Sequence, residues 1–387
     1  MENSWKSGGH VPIVGIVGGG QLARMLVQAS ISLDIDIHVL ALDKDESLKS
    51  LATNYEVVPE YSPSILYQFS RKCDVVTFEH ELVEYQTIEE LENRGCNLLP
   101  RSSTFRIASD KEAQRRELSK MGVPLPLHLI CHSFSEVEGF SRAIPAPFVL
   151  KASRYGYDGR GIIFAESLEQ VKQVLGDGNF PSSYVMEPHL EILSEFAIVT
   201  VSSLNGEVVT YPPLQTRQKD GICVEVATDI DISEEALKKA QEVATTIAKQ
   251  TESVGIQAVE FFLTTTGELL VNELAPRVHN SAHLSIEACV TSQFENHLRA
   301  ILGLPIGSTS LISPAVMVNL IGPSEDKKWM IDRLALLSDP TVKVHLYAKT
   351  IKPKRKVGHV TALDTAPERA RHAAWKAANS AFVEIER

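Results

Sequence analysis

The residues with the clearest chemical potential lie in one run, V-N-E-L-A-P-R-V-H-N-S, at residues 271–281. Its apolar start predicts a strand that delivers the carboxylate of Glu273 and stops at the proline, which has no amide hydrogen to donate. Arg277, His279 and Asn280 then follow on a loop. Because polar groups at a strand end are costly to desolvate, they are expected to hold a ligand. The run therefore predicts a site where two substrates meet.

A second carboxylate is predicted to lie opposite Glu273. Two apolar segments, residues 256–263 and 269–274, flank a turn at residues 266–267. This hairpin pairs Glu260 with Glu273, with Cβ atoms roughly 5 Å apart. Facing carboxylates repel each other, so one of them is protonated or a cation lies between them. Magnesium with nucleotide phosphates uses such a pair. The alternative is two surface glutamates, and the apolar neighbours argue against it.

A glycine-rich loop, K-A-S-R-Y-G-Y-D-G-R-G at residues 151–161, follows another apolar strand. Its glycines leave backbone N–H groups available to wrap phosphate oxygens. Lys151, at the strand end, adds a point charge. The alternative is a surface hairpin with a solvated lysine. The further cations Arg154 and Arg160 favour a phosphate-binding lid.

An apolar segment near the amino terminus, residues 12–17, leads into G-G-G-Q-L-A, which fits G-x-G-x-x-A. Two more apolar segments end at Asp43 and Glu79. Strands alternating with helices predict a parallel, Rossmann-like sheet over roughly the first hundred residues. Ligands bind at the carboxyl ends of such strands, where these residues fall. The helix N-terminus favours an anion, so the turn indicates a dinucleotide, a single phosphate or a turn without a ligand.

Composition limits the class of protein. A length of 387 residues predicts two or three domains. The net charge of −11 argues against nucleic acid as a partner, and no apolar run could span a membrane or serve as a signal peptide, so we expect a cytoplasmic protein. The basic segment K-T-I-K-P-K-R-K-V-G-H, residues 349–359, indicates either a solvated face or a second phosphate site.

Several helices are predicted to support these motifs. Ser109 and Glu112 fit a capping box at the start of a helix of about ten residues. Ser233 is expected to cap a second helix with an apolar stripe. Residues 285–302 are expected to form one long helix after the polar loop, and another helix is expected near residues 370–381.

The four motifs in this order resemble the ATP-grasp carboxylases, and among them the 5-(carboxyamino)imidazole ribonucleotide synthase family. The resemblance covers nearly the whole chain, and Y-D-G-R-G, N-E-L-A-P-R-V-H-N-S and R-K-V-G-H together are its specific part. It implies an α/β fold, α+β overall, with a Rossmann-like domain at residues 1–108. An ATP-grasp region at residues 109–310 would follow, with its lid at about 122–186. A small β-rich domain at residues 311–387 would complete the substrate phosphate site.

The family's reaction implies an ADP-forming carbon–nitrogen ligase. It would use ATP, with magnesium, to carboxylate 5-aminoimidazole ribonucleotide with bicarbonate through carboxyphosphate, in de novo purine biosynthesis. The resemblance also implies a homodimer and delivery of the product to a separate mutase.

The resemblance also implies a role for individual residues. Those expected at ATP are Lys111, Lys151, Gly156, Tyr157, Asp158, Gly159, Arg160, Gly161, Ile162, Glu187, Pro188, His189, Leu190, Glu195, Gln218, Asn272 and Glu273. Those expected at magnesium are Glu260 and Glu273. Those expected at bicarbonate are Arg277, His279 and Asn280, with Tyr157 and Arg160 close by, and Glu79 is expected to face the aminoimidazole. Those expected at the ribonucleotide phosphate are Gly20, Gln21, Leu22, Lys349, Arg355 and Lys356.

Three other functions stay open on the residues. One is a related ligase that uses formyl phosphate, such as formate-dependent glycinamide ribonucleotide transformylase. Another is a nicotinamide-dependent dehydrogenase built on the glycine turn and Asp43, which leaves the glutamate pair and the second glycine loop unexplained. The third is a relative that binds nucleotide without catalysis.

Overall fold

The structure is a computed structural model that describes residues 10–42, 47–48, 51, 54–143, 145–154, 161–325 and 327–385. The strands of these residues form four sheets. Some predicted site residues lie outside the described part of the chain, namely Asp43, Gly156, Tyr157, Asp158, Gly159 and Arg160.

The N-terminal part folds as a parallel sheet. Its strands are β1 (Ile13–Val17), β2 (Asp36–Leu42), β3 (Asn54–Val58) and β4 (Val75–Phe78). Its helices are α1 (Gln21–Ile31), α2 (Pro63–Ser70), α3 (Tyr85–Asn93) and α4 (Ser102–Ala108). The order is β3-β2-β1-β4, with parallel pairing throughout. Val14 and Ile16 pack with α1, whereas Val17 and Phe78 pack with α2 and α3. Helices on both faces explain why these strands are apolar without alternation, and they confirm the Rossmann-like prediction.

A smaller antiparallel sheet follows the connecting helix α5 (Lys111–Lys120). Its elements are β5 (Leu129–Ser133), α6 (Phe134–Ser141), β6 (Phe148–Ala152), β7 (Ile162–Ala165), α7 (Leu168–Leu175) and β8 (Asn179–Pro188). The strand order is β5-β8-β6-β7. This sheet carries Lys151 near the end of β6 and Glu187 near the end of β8.

A nine-stranded antiparallel sheet forms the centre of the molecule. Its first strands are β9 (Ile192–Ser202), β10 (Val208–Thr210), β11 (Leu214–Lys219), β12 (Ile222–Ala227), β13 (Gly255–Thr264) and β14 (Leu269–Ala275). The helices in this part are α8 (Glu234–Gln250), α9 (Ser285–Ala288) and α10 (Gln293–Leu302).

The C-terminal strands extend this central sheet. The elements are β15 (Ala315–Ile321), β16 (Trp329–Ile331), α11 (Arg333–Leu336), β17 (Val342–Leu346), β18 (Lys356–Leu363), α12 (Pro367–Asn379) and β19 (Phe382–Glu384). The sheet order is β14-β13-β9-β11-β12-β15-β18-β17, with β10 on β9, while β16 and β19 form a separate pair. Residues far apart in sequence, in β14 and β18, therefore belong to one sheet.

Two predicted helix boundaries were wrong, and one was confirmed. Asp110 caps α5 by accepting from the amides of Glu112 and Ala113, whereas Ser109 ends α4. The helix expected over residues 285–302 is broken, because Cys289 turns into an extended bridge with Leu311 before α10 begins. Ser233 caps α8 as expected.

Candidate active site

The two predicted metal-binding carboxylates lie opposite each other on the β13–β14 hairpin. Glu260 pairs with Glu273, which confirms the predicted register. The pairing of the neighbouring residues differs from the prediction. Phe261 pairs with Val271, so Asn272 is an extra, unpaired residue in a bulge on β14. A bulge re-aims side chains locally. Here the bulge places Asn272 on β14 directly before Glu273 of the predicted metal-binding pair.

The pKa values of the two glutamates shift in opposite directions. Burial, followed by repulsion from Glu273, raises the pKa of Glu260 to about 7. Burial acts to raise the pKa of Glu273 as well, but the Lys111 ammonium outweighs it, so this pKa lies below its ordinary value. Lys111 Nζ lies 2.7 Å from Glu273 Oε1. The pair therefore has a charged member beside a cation and a member that is easily protonated.

A buried ion cluster lies next to this pair. Lys151 Nζ is 2.8 Å from Glu187 Oε2 and 2.8 Å from Asn272 Oδ1. Arg115, which sequence analysis did not single out, donates to Glu187 Oε1 from Nη2 at 2.6 Å. Burial would raise the pKa of Glu187, but the Lys151 and Arg115 charges lower it to about 2. The predicted phosphate lysine is thus tied to the hinge strand.

The hinge residues and two further predicted nucleotide contacts surround this cluster. The Glu187 side chain pairs with Arg115 and Lys151, and the amide of the hinge residue His189 donates to the Pro147 carbonyl at 2.9 Å. Glu195 and Gln218 hydrogen-bond to each other, and burial raises the pKa of Glu195. Both line a cleft of about 620 Å³ that neither Glu260 nor Glu273 reaches.

The polar loop after β14 approaches the metal-binding pair. His279 Nε2 lies 3.7 Å from Glu260 Oε1, and its Nδ1 lies 2.9 Å from Ser281 Oγ. Gln293 accepts from the His279 amide at 2.8 Å and donates to its carbonyl at 2.7 Å. Gln293 is the first residue of α10, so these contacts anchor the polar loop to that helix. The imidazole is therefore held within reach of the carboxylates.

The other two loop residues have partners from distant segments. Arg277 Nε lies 2.9 Å from Glu81 Oε1, just after β4. The Asn280 side chain exchanges hydrogen bonds with the Asn319 amide of β15, at 3.1 and 2.8 Å. Arg277 thus faces the N-terminal part of the molecule and Asn280 faces the C-terminal part. The three predicted bicarbonate residues lie at the junction of all three parts of the chain.

The glycine turn is bound by a carboxylate from the neighbouring strand. Glu79 accepts from the Gly20 amide at 2.6 Å and from the Ala23 amide at 3.0 Å, so it caps α1. A Cβ atom on Gly18 would come within 2.2 Å of Glu79 Cγ, and one on Gly20 would come within 2.7 Å of Glu79 Oε1. Glycine is required here because Glu79 approaches so closely. In the structure both Glu79 oxygens accept from this turn, and the predicted contact of Glu79 with the aminoimidazole stays a prediction.

The basic C-terminal segment reaches the same turn. The Lys349 ammonium donates to the Gln21 side chain. Lys356, the first residue of β18, is close enough to Glu260 for its charge to lower that pKa. Arg355 donates to the Thr350 carbonyl at 3.3 Å, and its own carbonyl accepts from the Gly322 amide at 2.9 Å. Lys349 and Lys356 therefore lie beside other predicted site residues, and the second phosphate site stays a prediction for this segment.

The comparisons with known proteins agree with this geometry. Three family models match: the ribonucleotide synthetase preATP-grasp domain over residues 11–109, the ATP-grasp domain over residues 116–294, and the phosphoribosylaminoimidazole carboxylase C-terminal domain over residues 315–373. The N5-carboxyaminoimidazole ribonucleotide synthase of Mycobacterium bovis is 37% identical over 361 residues, which cover 91% of this chain and 83% of that protein. The chain belongs to the N5-carboxyaminoimidazole ribonucleotide synthase family.

Solved structures of the N5-carboxyaminoimidazole ribonucleotide synthase family share the fold. The Thermotoga maritima synthetase has a TM-score of 0.84 and 33% identity, over 97% of this chain and 100% of that chain. The Aspergillus clavatus enzyme, solved with ADP and 5-aminoimidazole ribonucleotide, has a TM-score of 0.85 and 30% identity, over 96% of this chain and 98% of that one. These matches confirm the predicted ATP-grasp architecture with its N-terminal and C-terminal domains. They also make this an ATP-grasp ligase rather than a dehydrogenase.

The residues fit the magnesium expected of an ATP-grasp ligase. The described residues contain no group of three or more histidine, cysteine or acidic side chains placed to hold a metal ion. Magnesium bound with a nucleotide takes only one or two protein carboxylates, together with phosphate oxygens and water. The two facing carboxylates of Glu260 and Glu273 match that donor set. In the part of the chain that is described, no helix is long and apolar enough to cross a membrane.

Sequence analysis missed four residues that support the site: Arg115, Glu81, Gln293 and Asn319. Glu81 could have been predicted from its spacing. It lies two residues after Glu79, and alternate residues of an extended segment share a face. Arg115 could have been predicted as well, since it follows Lys111 by one helical turn. Gln293 and Asn319 act through contacts between segments far apart in sequence, which no local pattern predicts.

Proposed function

We propose that this chain carboxylates 5-aminoimidazole ribonucleotide, with ATP and bicarbonate, to 5-(carboxyamino)imidazole ribonucleotide in de novo purine biosynthesis. One observation carries this proposal: His279 of the polar loop lies 3.7 Å from Glu260 of the carboxylate pair. Residues suited to a small anion and residues suited to magnesium nucleotide therefore share one site. The relative solved with ADP and 5-aminoimidazole ribonucleotide supports the same substrates.

The first step activates bicarbonate. A bicarbonate oxygen attacks the γ-phosphorus of ATP, the bond to the bridging oxygen breaks, and ADP leaves with carboxyphosphate formed. Lys111 and Lys151 are the cations we assign to the phosphates, because both end beside the carboxylate pair. Glu260 and Glu273 would hold magnesium, which would supply charge neutralisation as the phosphoryl group moves. The hinge at residues 187–190, with Glu195 and Gln218, is assigned to the nucleoside.

The second step transfers the carboxyl group. The exocyclic amine of the ribonucleotide attacks the carboxyl carbon, phosphate leaves, and the amine loses a proton. Arg277 can bind a planar carboxylate through two parallel hydrogen bonds, and His279 and Asn280 lie beside it. We assign the His279 imidazole to accept that proton. Water must be excluded because carboxyphosphate hydrolyses, and the glycine loop that starts after Arg154 is the segment we assign to that task.

The ribonucleotide phosphate is assigned to the junction of the glycine turn with the basic segment. Glu79 accepts from the Gly20 and Ala23 amides, and the amides of Gln21 and Leu22 lie between these two in the first turn of α1. Those amides lie at the positive end of α1, with Lys349 against the Gln21 side chain. Lys356 and Arg355 add positive charge on the same segment. Glu79 then forms the wall between this phosphate and the aminoimidazole ring.

We also propose that the enzyme works as a homodimer in the cytoplasm and delivers its product to a separate mutase. Light scattering of the purified chain tests the first point. Neither nucleic acid nor membrane is needed as a partner in this reaction.

Omission of single components tests the proposed reaction. Phosphate release is measured with ATP, magnesium, bicarbonate and 5-aminoimidazole ribonucleotide, and then with each component left out. We expect release to depend on bicarbonate and on the ribonucleotide together. Release that depends on formate and glycinamide ribonucleotide instead would replace this proposal by the formyl phosphate ligase.

A further inference from the structure

Arg115 is a buried cation at the centre of the nucleotide side of the site. It lies on α5 one turn after Lys111 and is 3% exposed. Its guanidinium donates to Glu187 Oε1 from Nε at 2.9 Å and from Nη2 at 2.6 Å. Nη2 also donates to the Asn272 carbonyl at 2.9 Å. One side chain therefore joins α5, the hinge strand β8 and the bulge of β14.

Glu187 divides its two oxygens between two cations. Oε1 accepts from Arg115, whereas Oε2 lies 2.8 Å from Lys151 Nζ. The side chains of Arg115, Glu187 and Lys151 are only 3%, 4% and 10% exposed. The Glu187 carboxylate already balances the charge of Lys151, and burying the additional charge of Arg115 is costly. Charge neutralisation of Glu187 alone therefore does not explain why Arg115 is present.

That reason lies in what happens when Lys151 binds phosphate. If Glu187 had Lys151 as its sole counterion, nucleotide binding would draw the ammonium away and leave a buried carboxylate without compensation. Arg115 prevents this, because its two hydrogen bonds keep Glu187 paired whether Lys151 points to the carboxylate or to a phosphate. A guanidinium suits the task, since it also reaches the Asn272 carbonyl from the same edge.

We propose that Arg115 is a positioning residue for nucleotide binding, which holds Glu187 so that Lys151 is available to the phosphates. The proposal rests on the proposed function, because it takes Lys151 as a phosphate ligand.

Calorimetric titration with ADP tests this role in four variants. Arg115→Met should raise the Kd for ADP on the order of ten- to a hundredfold, and Arg115→Lys should raise it less. The matched control is Arg116→Met, on the same helix. Arg116 is 62% exposed and pairs with Glu112 at 2.7 Å, so its replacement should leave the Kd unchanged.

The double variant Arg115→Met/Glu187→Gln separates positioning from a purely structural contact. With no buried carboxylate left to compensate, ADP binding should recover toward the wild-type Kd. A structural contact predicts the opposite, a Kd at least as high as that of Arg115→Met, and this result would overturn the proposal. If Arg115→Met does not fold, as judged by thermal unfolding, Arg115→Lys and the double variant provide the same comparison.

Binding of ADP to the wild-type chain separates a failure of the proposed function from a failure of the role of Arg115. If the wild-type chain binds no ADP, the proposed function fails. If the wild-type chain binds ADP and Arg115→Met binds it equally well, only the role of Arg115 fails.

Discussion

At the scale of single residues, the site depends on how charges are paired. Glu273 is paired with Lys111, while Glu260 opposite has a pKa raised by burial and by Glu273 itself. A divalent cation entering between them would replace a repulsion by two attractions. The same principle holds for Arg277, whose partner in the structure is the carboxylate of Glu81.

Glu273→Gln is expected to reduce turnover on the order of 100-fold or more, because it removes a charged ligand from the metal-binding pair. Steady-state turnover at saturating magnesium measures the loss. Glu268→Gln, at an exposed position of the same hairpin, is the matched control and should keep normal activity. Normal rates for Glu273→Gln would contradict the metal site.

Arg277→Lys is expected to lose bicarbonate-dependent turnover while ADP binding stays unchanged. A lysine keeps the charge but cannot make two parallel hydrogen bonds to a carboxylate. Turnover and ADP titration on the same preparation check this split. Arg369→Lys, at the exposed pair with Asp364, serves as the control. Equal loss of nucleotide binding and turnover would refute the role assigned to Arg277.

At the scale of elements, β4, β13 and α10 meet at a buried histidine. His297 Nδ1 accepts from the Ile256 amide at 3.1 Å, and its Nε2 lies 2.8 Å from Thr77 Oγ1. These bonds fix the neutral ring, with the proton on Nε2. Burial lowers the pKa of His297 to about 4. Protonation of Nδ1 would place its N–H against the N–H of Ile256, two donors with no acceptor between them. Acid is therefore expected to destabilise this junction.

Stability is therefore expected to fall as the pH drops below 6.5. Between about pH 6.5 and 4 the unfolded chain binds a proton at His297 and the folded chain does not, so protonation favours unfolding in this window. From pH 7.5 to 5 this residue should remove about 2 kcal/mol of unfolding free energy. Denaturant titrations at both values measure it. His297→Gln should lose that part of the pH dependence and exposed His372→Gln should keep it, whereas identical pH profiles for His297→Gln and wild type would contradict the assignment.

The helices and strands also show which structural features could be predicted from the sequence and which could not. Apolar runs and glycines predicted the parallel sheet and the hairpin, because those patterns act locally. The Glu260–Glu273 pairing was predicted correctly, although the turn alone does not produce it. The bulge at Asn272 supplies the shift, and bulges follow from strand twist and packing, which leave no local pattern. Asp110 rather than Ser109 caps α5 for a similar reason, since α4 extends up to Ser109.

At the scale of the whole molecule, the site forms where three parts of the chain meet. Arg277 pairs with Glu81 of the N-terminal part, and Asn280 pairs with Asn319 of the C-terminal part. Lys349 reaches Gln21 across more than three hundred residues of sequence. Sequence analysis could predict the basic segment and the glycine turn separately. Only the resemblance to the family brought them together, because no local pattern specifies a contact so far along the chain.

Lys349→Met is expected to raise the KM for 5-aminoimidazole ribonucleotide about tenfold or more, because it removes a charge-assisted contact to the phosphate. The Kd for ADP should not change, since the nucleotide is assigned to another part of the site. Lys352→Met, exposed on the same segment, is the control for a general charge effect. An unchanged KM for Lys349→Met would remove the basic segment from the ribonucleotide site.

The central claim is that ATP phosphorylates bicarbonate at the junction of the carboxylate pair and the polar loop. Transfer of oxygen tests it most directly. The enzyme is given ATP, 5-aminoimidazole ribonucleotide and bicarbonate labelled with oxygen-18, and the released phosphate is analysed by mass spectrometry. Because a bicarbonate oxygen attacks the γ-phosphorus, each phosphate should carry one labelled oxygen. Phosphate without the label, released while the ribonucleotide is carboxylated, would contradict the account.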